Sequence, residues 1–218
     1  MRLLLIYILN MTEIVIAIIG LISVIVSSIG TIIVKNYLDK KKIDNTIHYA
    51  HNKAECWMQL DRIAADIRKH ENAKGCFIAY FHNGGKFISG IAMDKFTVIA
   101  DDFDETIADS YKNVYKNTLT SIMSYPILRL YKDNQYIFHK NNFEKTEANK
   151  AFINDLDSRK VNTVASIIVK DLVTDMPIGF VAVEYGGDIP TQDITMATLW
   201  KYHNRISRYM NMFNDEIK

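Results

Sequence analysis

VNTVASIIVKDLVTDMPIGFVAVEY, residues 161–185, reads as a long β-hairpin. Two runs rich in β-branched residues, 161–170 and 178–185, flank the turn Thr174-Asp175-Met176-Pro177. The flanking segments fall into place around it. Upstream, 127–131 and 136–139 read as strands about the turn Lys132-Asp133-Asn134, and 144–156 has helical spacing. Downstream, a helix starts near Gln192 with Thr191 as its cap. It places Leu199, Tyr202, Ile206, Met210, Phe213 and Ile217 on one face.

The first half of the chain supplies the remaining elements. Ile43, Ile47, Ala50, Ala54 and Trp57 recur at intervals of 4, 3, 4 and 3, and Leu60, Ala64 and Ile67 continue the stripe. This predicts an amphipathic helix to about His70, ended at Lys74-Gly75. A strand over 76–81 then meets His82-Asn83-Gly84-Gly85. Asn-Gly is a strong type I′ turn signal, so 86–100 is expected to return as a second strand. Residues 104–117 have helical spacing through Ile107, Tyr111, Val114 and Tyr115. The economical arrangement is α+β, an antiparallel sheet with its first and last helices packed together on one face.

Residues 14–34, IVIAIIGLISVIVSSIGTIIV, contain no charge over 21 positions. About 20 such residues suffice for a helix to cross a bilayer. The expected organisation is a tail over 1–13, a transmembrane helix over 14–34, a juxtamembrane helix over 35–74 and a soluble domain over 75–218. Lys35, Lys40, Lys41 and Lys42 follow the run closely, and the positive-inside rule therefore puts the C-terminal side in the cytoplasm. Either Met1 or Met11 could be the start. Gly20, Ser23, Ser27 and Gly30 fall on one stripe, which predicts either self-association in the membrane or merely the usual frequency of small residues in spans.

A net charge of +1 argues against nucleic acid as a partner. Cys56 and Cys76 are too few for a disulfide framework, and read as reduced thiols unless the domain faces an oxidising compartment. The sequence lacks a GxxxxGK[ST] loop, a G-x-S-x-G elbow and a C-x-x-C pair, so no catalytic residue is assigned. His48, His51 and Glu55 share a helix face, and Asp101, Asp102, Asp104 and Glu105 form an acidic group. A solvated face and a helix start explain these without a metal, and neither metal nor cofactor is assigned. His82, Asn83, Gly84 and Gly85 could present a ring and free amides to an anionic ligand or a partner, or form a plain hairpin turn.

Two resemblances extend this reading. The element order over 44–218 resembles the GAF/PAS superfamily of small sensory domains, which implies a membrane-anchored sensor or adaptor binding a small ligand or a protein. The chain is also similar to the large single-span holins of T-even bacteriophages. The features that carry this are the span followed by a charged helix, Tyr125-Pro126 before a central strand, and the segment from Met176-Pro177-Ile178-Gly179 to Glu184-Tyr185 ahead of a last helix. That resemblance implies a homo-oligomer in the inner membrane that forms lesions and times host lysis, under regulation by its soluble domain. It also implies a periplasmic domain, against the cytoplasmic side that the four lysines indicate. The family's late pair of cysteines is absent.

Overall fold

The computed structural model describes residues 2–82, 95–105, 107, 109–143, 145–146, 149–189 and 192–214. The chain divides into two units, Met1–Asn52 and Lys53–Lys218. Helix α1 (Arg2–Glu71) supplies all the described structure of the first unit and the opening of the second. In the first unit Gly20, Ser23, Ser27 and Gly30 are exposed. A Cβ built on Gly20 or Gly30 would touch nothing. Ser28 Oγ donates to the Val24 carbonyl at 2.8 Å and Thr31 Oγ1 to that of Ser27 at 2.9 Å, so these hydroxyls are satisfied within the helix. Among the described residues no helix is long and apolar enough to cross a membrane. The side chains of 14–19, 21, 22, 25 and 26 lie outside that description.

Among the described residues the second unit is built on six antiparallel strands in the order β3-β2-β1-β6-β5-β4. They are β1 (Gly75–His82), β2 (Lys95–Phe103), β3 (Thr118–Leu119), β4 (Gln135–His139), β5 (Thr163–Lys170) and β6 (Pro177–Tyr185). The expected 161–185 hairpin is the β5–β6 pair, in register from Thr163 opposite Tyr185 to Val169 opposite Gly179. Between strands stand α2 (Tyr111–Val114), α3 (Ser124–Asp133) and α4 (Lys150–Ser158), and α5 (Gln192–Asn214) closes the fold.

Alternation along the central strands gives the sheet two apolar faces. Cys76, Ile78, Val181 and Val183 turn toward Leu60, Ile63, Ala64 and Ile67 of α1 and Leu199, Ile206 and Met210 of α5. First and last helices thus share one face, as expected. Phe77, Ala79, Phe180 and Ala182 turn the other way, against Tyr111, Ile127, Leu130 and Leu156 from α2, α3 and α4. Of the predicted α1 stripe in this unit, Ala54 and Trp57 do not take part, because both are exposed; the side chains of Ile43 and Ile47 lie outside the described residues.

Four local expectations are corrected. Segment 127–131 is helical, not a strand. Ile127 and Leu130 are buried three apart while Leu128 is exposed, the helical period. Pro126 sits in the first turn of α3, where its missing N–H costs nothing. Asn134 ends α3 at φ 60° and donates its N–H to Leu130, which makes the expected Lys132-Asp133-Asn134 turn a helix cap. The helix read over 104–117 shrinks to four residues, because Ser110 accepts from Lys112 N–H and starts α2 there. His82 pairs with Lys95, so β1 and β2 are not joined by a two-residue turn directly after His82. Asn83, Gly84 and Gly85 themselves lie outside the described residues, as does the Thr191 cap.

Gly179 of β6 lies opposite Tyr80 of β1, with Met210 of α5 over it. A Cβ there would overlap the Ala79 carbonyl oxygen and the Met210 methyl. Gly179→Ala is therefore expected to lower stability by about 2 kcal/mol through overpacking. The urea unfolding midpoint of the full chain measures it, and an unchanged midpoint would contradict the packing described.

Candidate functional site

Glu184 is the one acidic residue in β6, near the end of this central strand, and its side chain is 1% exposed. It faces the aromatic side. A buried carboxylate requires a countercharge and hydrogen bonds, and both come from elements that the sequence places far away. Arg159, just after α4, pairs with Glu184 Oε2 through Nη1. The Tyr111 hydroxyl donates to the same oxygen at 2.7 Å. Arg159 Nη2 donates to the Tyr115 hydroxyl at 2.6 Å and to Asp155 Oδ2 at 2.5 Å, and the Tyr115 hydroxyl donates to Asp155 Oδ2. The guanidinium also lies 5.0 Å from the Tyr111 ring centroid and 5.5 Å from that of Tyr115, cation–π distances. Among the described residues its Nε has no partner.

Gly75 makes room for this centre. It pairs with Glu184 across the β1–β6 ladder, and a Cβ on it would collide with the Tyr111 phenol. Around the polar core stand Phe77, 4.9 Å from Tyr111 and 5.6 Å from Tyr115, and Phe180, 5.9 Å from Phe77. Burial raises the Glu184 pKa, against the lowering influence of Arg159. Burial also works against the Arg159 cation, but the facing Glu184, Tyr115 and Asp155 raise its pKa on balance. Tyr111 and Tyr115 are held in the phenol form, by burial first, and donate hydrogen bonds as neutral groups. The groups of this centre are spent on one another: the arrangement stores charge and fixes geometry.

A second polar network lies on the other face, one residue along β6. Glu71, in the last turn of α1, is 8% exposed. Its Oε2 accepts from Thr195 Oγ1 at 2.7 Å and from the Tyr185 hydroxyl at 3.1 Å. Burial alone would raise its pKa, but hydrogen bonds from Thr195, Thr198, His70 and Tyr185 together lower it. Further up α1, Arg68 pairs with Asp102, and Asp61 accepts from Lys112 Nζ at 2.6 Å and from the Asp101 N–H at 3.1 Å. The end of α1 is thus clamped to β2, β6 and α5 by charge and hydrogen bonds.

The residues singled out from sequence are dispersed. His82 ends β1, half-buried, with Nε2 2.9 Å from Thr97 Oγ1, and burial followed by the Lys95 charge lowers its pKa. Asp101 and Asp102 lie in β2 and are taken by Lys112 and Arg68. Among the described residues no three metal-ligating side chains gather; the His48 side chain lies outside them. Cys56 and Cys76 are free thiols buried on the α1–α5 face, and burial pushes both pKa values up. Arg159, Glu184 and Glu71 were missed. The available signal was Glu184 itself, a carboxylate inside the apolar run IGFVAVEY.

Searches by sequence gave no match among family models or curated proteins. Solved structures do match in shape. The phycoerythrobilin-bound GAF domain of a cyanobacterial phytochrome aligns with a TM-score of 0.55 at 10% identity, over 79% of this chain and 94% of that one. A phycocyanobilin-bound GAF domain, also from a cyanobacterial phytochrome, gives 0.54 at 10%, over 77% and 94%. The GAF domain region of a Geobacter sulfurreducens protein gives 0.51 at 9%, over 76% and 97%. At such identities the likeness establishes the fold alone: this is a GAF-like α+β domain.

Removing Arg159 while leaving Glu184 is expected to cost about 3–5 kcal/mol, because the carboxylate is left buried without its partner. Arg159→Met should therefore destabilise far more than Tyr111→Phe, which deletes one hydrogen bond worth about 1–3 kcal/mol; denaturant titration of both variants ranks them. Glu71 has its own pH signature. Its folded pKa lies below the ordinary value, so its contribution is present above the unfolded pKa of about 4.3 and is lost as pH falls through the folded value. The stability gap between the wild type and Glu71→Gln should be widest near neutrality and shrink below about pH 4. A gap independent of pH would rule this network out.

Proposed function

We propose that the chain is a membrane-anchored sensor or adaptor whose GAF-like domain passes a change of state to α1. The observation that carries this is the clamp on α1. Glu71, Arg68 and Asp61 tie the helix end to the sheet and α5, and the same helix carries the uncharged run 14–34. The aromatic face is already filled by Phe77, Phe96, Phe180 and Tyr111. A signal arriving there acts by repacking these rings. The shape likeness to bilin-bound GAF domains supports a sensory role in general terms.

The test uses the full chain in membranes, with Ser27→Cys as a cross-linking probe on α1. Breaking the clamp with Glu71→Gln should alter the disulfide yield at position 27 at least threefold while the domain stays folded. An unaltered yield would sink the coupling. A reporter fused to the C-terminus reads the sidedness, with signal expected on the cytoplasmic side. The holin-like reading makes the opposite prediction, a periplasmic signal and collapse of membrane potential after silent accumulation. Persisting respiration during induced expression is the outcome expected here.

Self-association through Gly20, Ser23, Ser27 and Gly30 belongs to the same proposal. These positions are exposed, and the two glycines leave room for close helix approach. Replacing Gly20 and Ser27 together by leucine should reduce the dimer captured by an amine-reactive cross-linker at least fivefold without altering the soluble fold. Equal cross-linking would make the stripe incidental.

A further inference from the structure

Strand β4 is an edge strand whose sheet neighbour is β5. The hydrogen bonds around it fix which backbone groups point outward. Ile168 N–H donates to the Asn134 carbonyl at 2.8 Å, and Lys140 N–H to that of Asn162 at 2.8 Å. In an antiparallel ladder bonded and non-bonded pairs alternate, so Tyr136 and Phe138 exchange bonds with β5. The N–H and C=O of Gln135 and Ile137 therefore point away from the sheet, and among the described residues no other backbone group pairs with them. Natural edges are commonly blocked by proline, lysine or a bulge. The segment QYIFH has no proline or lysine, and its ladder with β5 runs without a register shift.

Two hollows flank this open edge. One of about 340 Å³ lies against Gln135 and Ile137, with Arg129 and Asp133 from α3 and Asp193 from the first turn of α5. The other, about 270 Å³, lies at the opposite end against His139, Asn162 and Asp188. Arg129 and Asp133 neutralise each other at 3.0 Å, while Asp193 and Asp188 have no cationic partner among the described residues. Each end of the edge thus carries a net negative hollow. The Gln135 side chain does not cap the edge, because its carbonyl accepts from Trp200 Nε1 at 2.8 Å.

We infer that β4 is a docking edge for an extended segment of a partner protein that bears two basic residues four positions apart. Four steps of an extended chain span about 14 Å, the length of β4, and an even spacing puts both basic side chains on one face. Backbone pairing to Gln135 and Ile137 supplies the affinity, and the two carboxylates supply the choice of sequence. The inference rests on the sheet edge, and it holds whether or not the aromatic face responds to a partner.

The probe is the labelled peptide acetyl-Thr-Lys-Thr-Val-Thr-Lys-Thr-amide, titrated onto the full chain in a neutral detergent. Saturable binding is expected, at least tenfold weaker when both lysines are replaced by glutamate, and likewise when the edge-facing peptide nitrogens are methylated. Asp193→Asn and Asp188→Asn should each weaken it about threefold, with no loss of fold by circular dichroism. Absence of binding overturns the inference. So does equal binding of the N-methylated peptide, which excludes strand addition, or of the glutamate peptide, which excludes the charge match. A dimer that the peptide cannot displace and that Ile137→Pro dissolves would assign the edge to a second copy of the chain instead. The methylated peptide keeps the test valid even if the proline variant unfolds.

Discussion

A carboxylate buried near the end of a central strand is the constraint around which this domain is arranged. Glu184 has to meet a cation, and Arg159 is held in place for it by the end of α4 and by Asp155. The Tyr111 phenol completes the carboxylate's hydrogen bonding, which fixes α2 over the start of β1 and requires a glycine at position 75. Two segments that are distant in sequence converge on one oxygen of β6. An apolar side chain in place of Glu184 could serve stability as well, since buried ion pairs are often no better than hydrophobic packing. What the pair supplies is a unique placement for α2 and α4 on an aromatic surface that would otherwise accept them in several ways.

The opposite face is organised differently. There α1 and α5 pack by ordinary aliphatic burial, and the polar contacts are concentrated at the end of α1. The domain therefore joins a face specified by charge to a face specified by hydrophobic area, with β1 and β6 shared between them. A perturbation of the aromatic side reaches α1 through the shared strands and, directly, through the Lys112–Asp61 contact between α2 and α1, which is a short mechanical path.

Much of the architecture was legible in the sequence. The β5–β6 hairpin, the buried part of the α1 stripe and the apolar face of α5 follow from periodicity, which is a local property. The errors have physical causes too. Segment 127–131 is rich in residues that suit either state, and tertiary burial of Ile127 and Leu130 settled it as helix. Asn83-Gly84 carried a local turn signal, but β1 and β2 pair at His82 and Lys95, so that step does not by itself close the ladder. Beyond the lone carboxylate of Glu184, the polar centres left no mark in the sequence, because their members, Arg159 with Glu184 and Glu71 with Thr195, meet only once the sheet has formed. No spacing in a sequence encodes a contact between residues 124 positions apart.

Glu184 and Tyr185 are consecutive, and they point to opposite faces of β6 into two separate polar networks. A one-residue slip of this strand would carry the carboxylate under α5 and drive the tyrosine hydroxyl among the phenyl rings, and would break both networks at once. The pair therefore acts as a register lock on the central hairpin, in a run of β-branched residues that hydrophobicity alone would let slide. A polar dipeptide at the end of an apolar strand thus serves as its alignment mark, and correct strand pairing can be checked at that one place during folding.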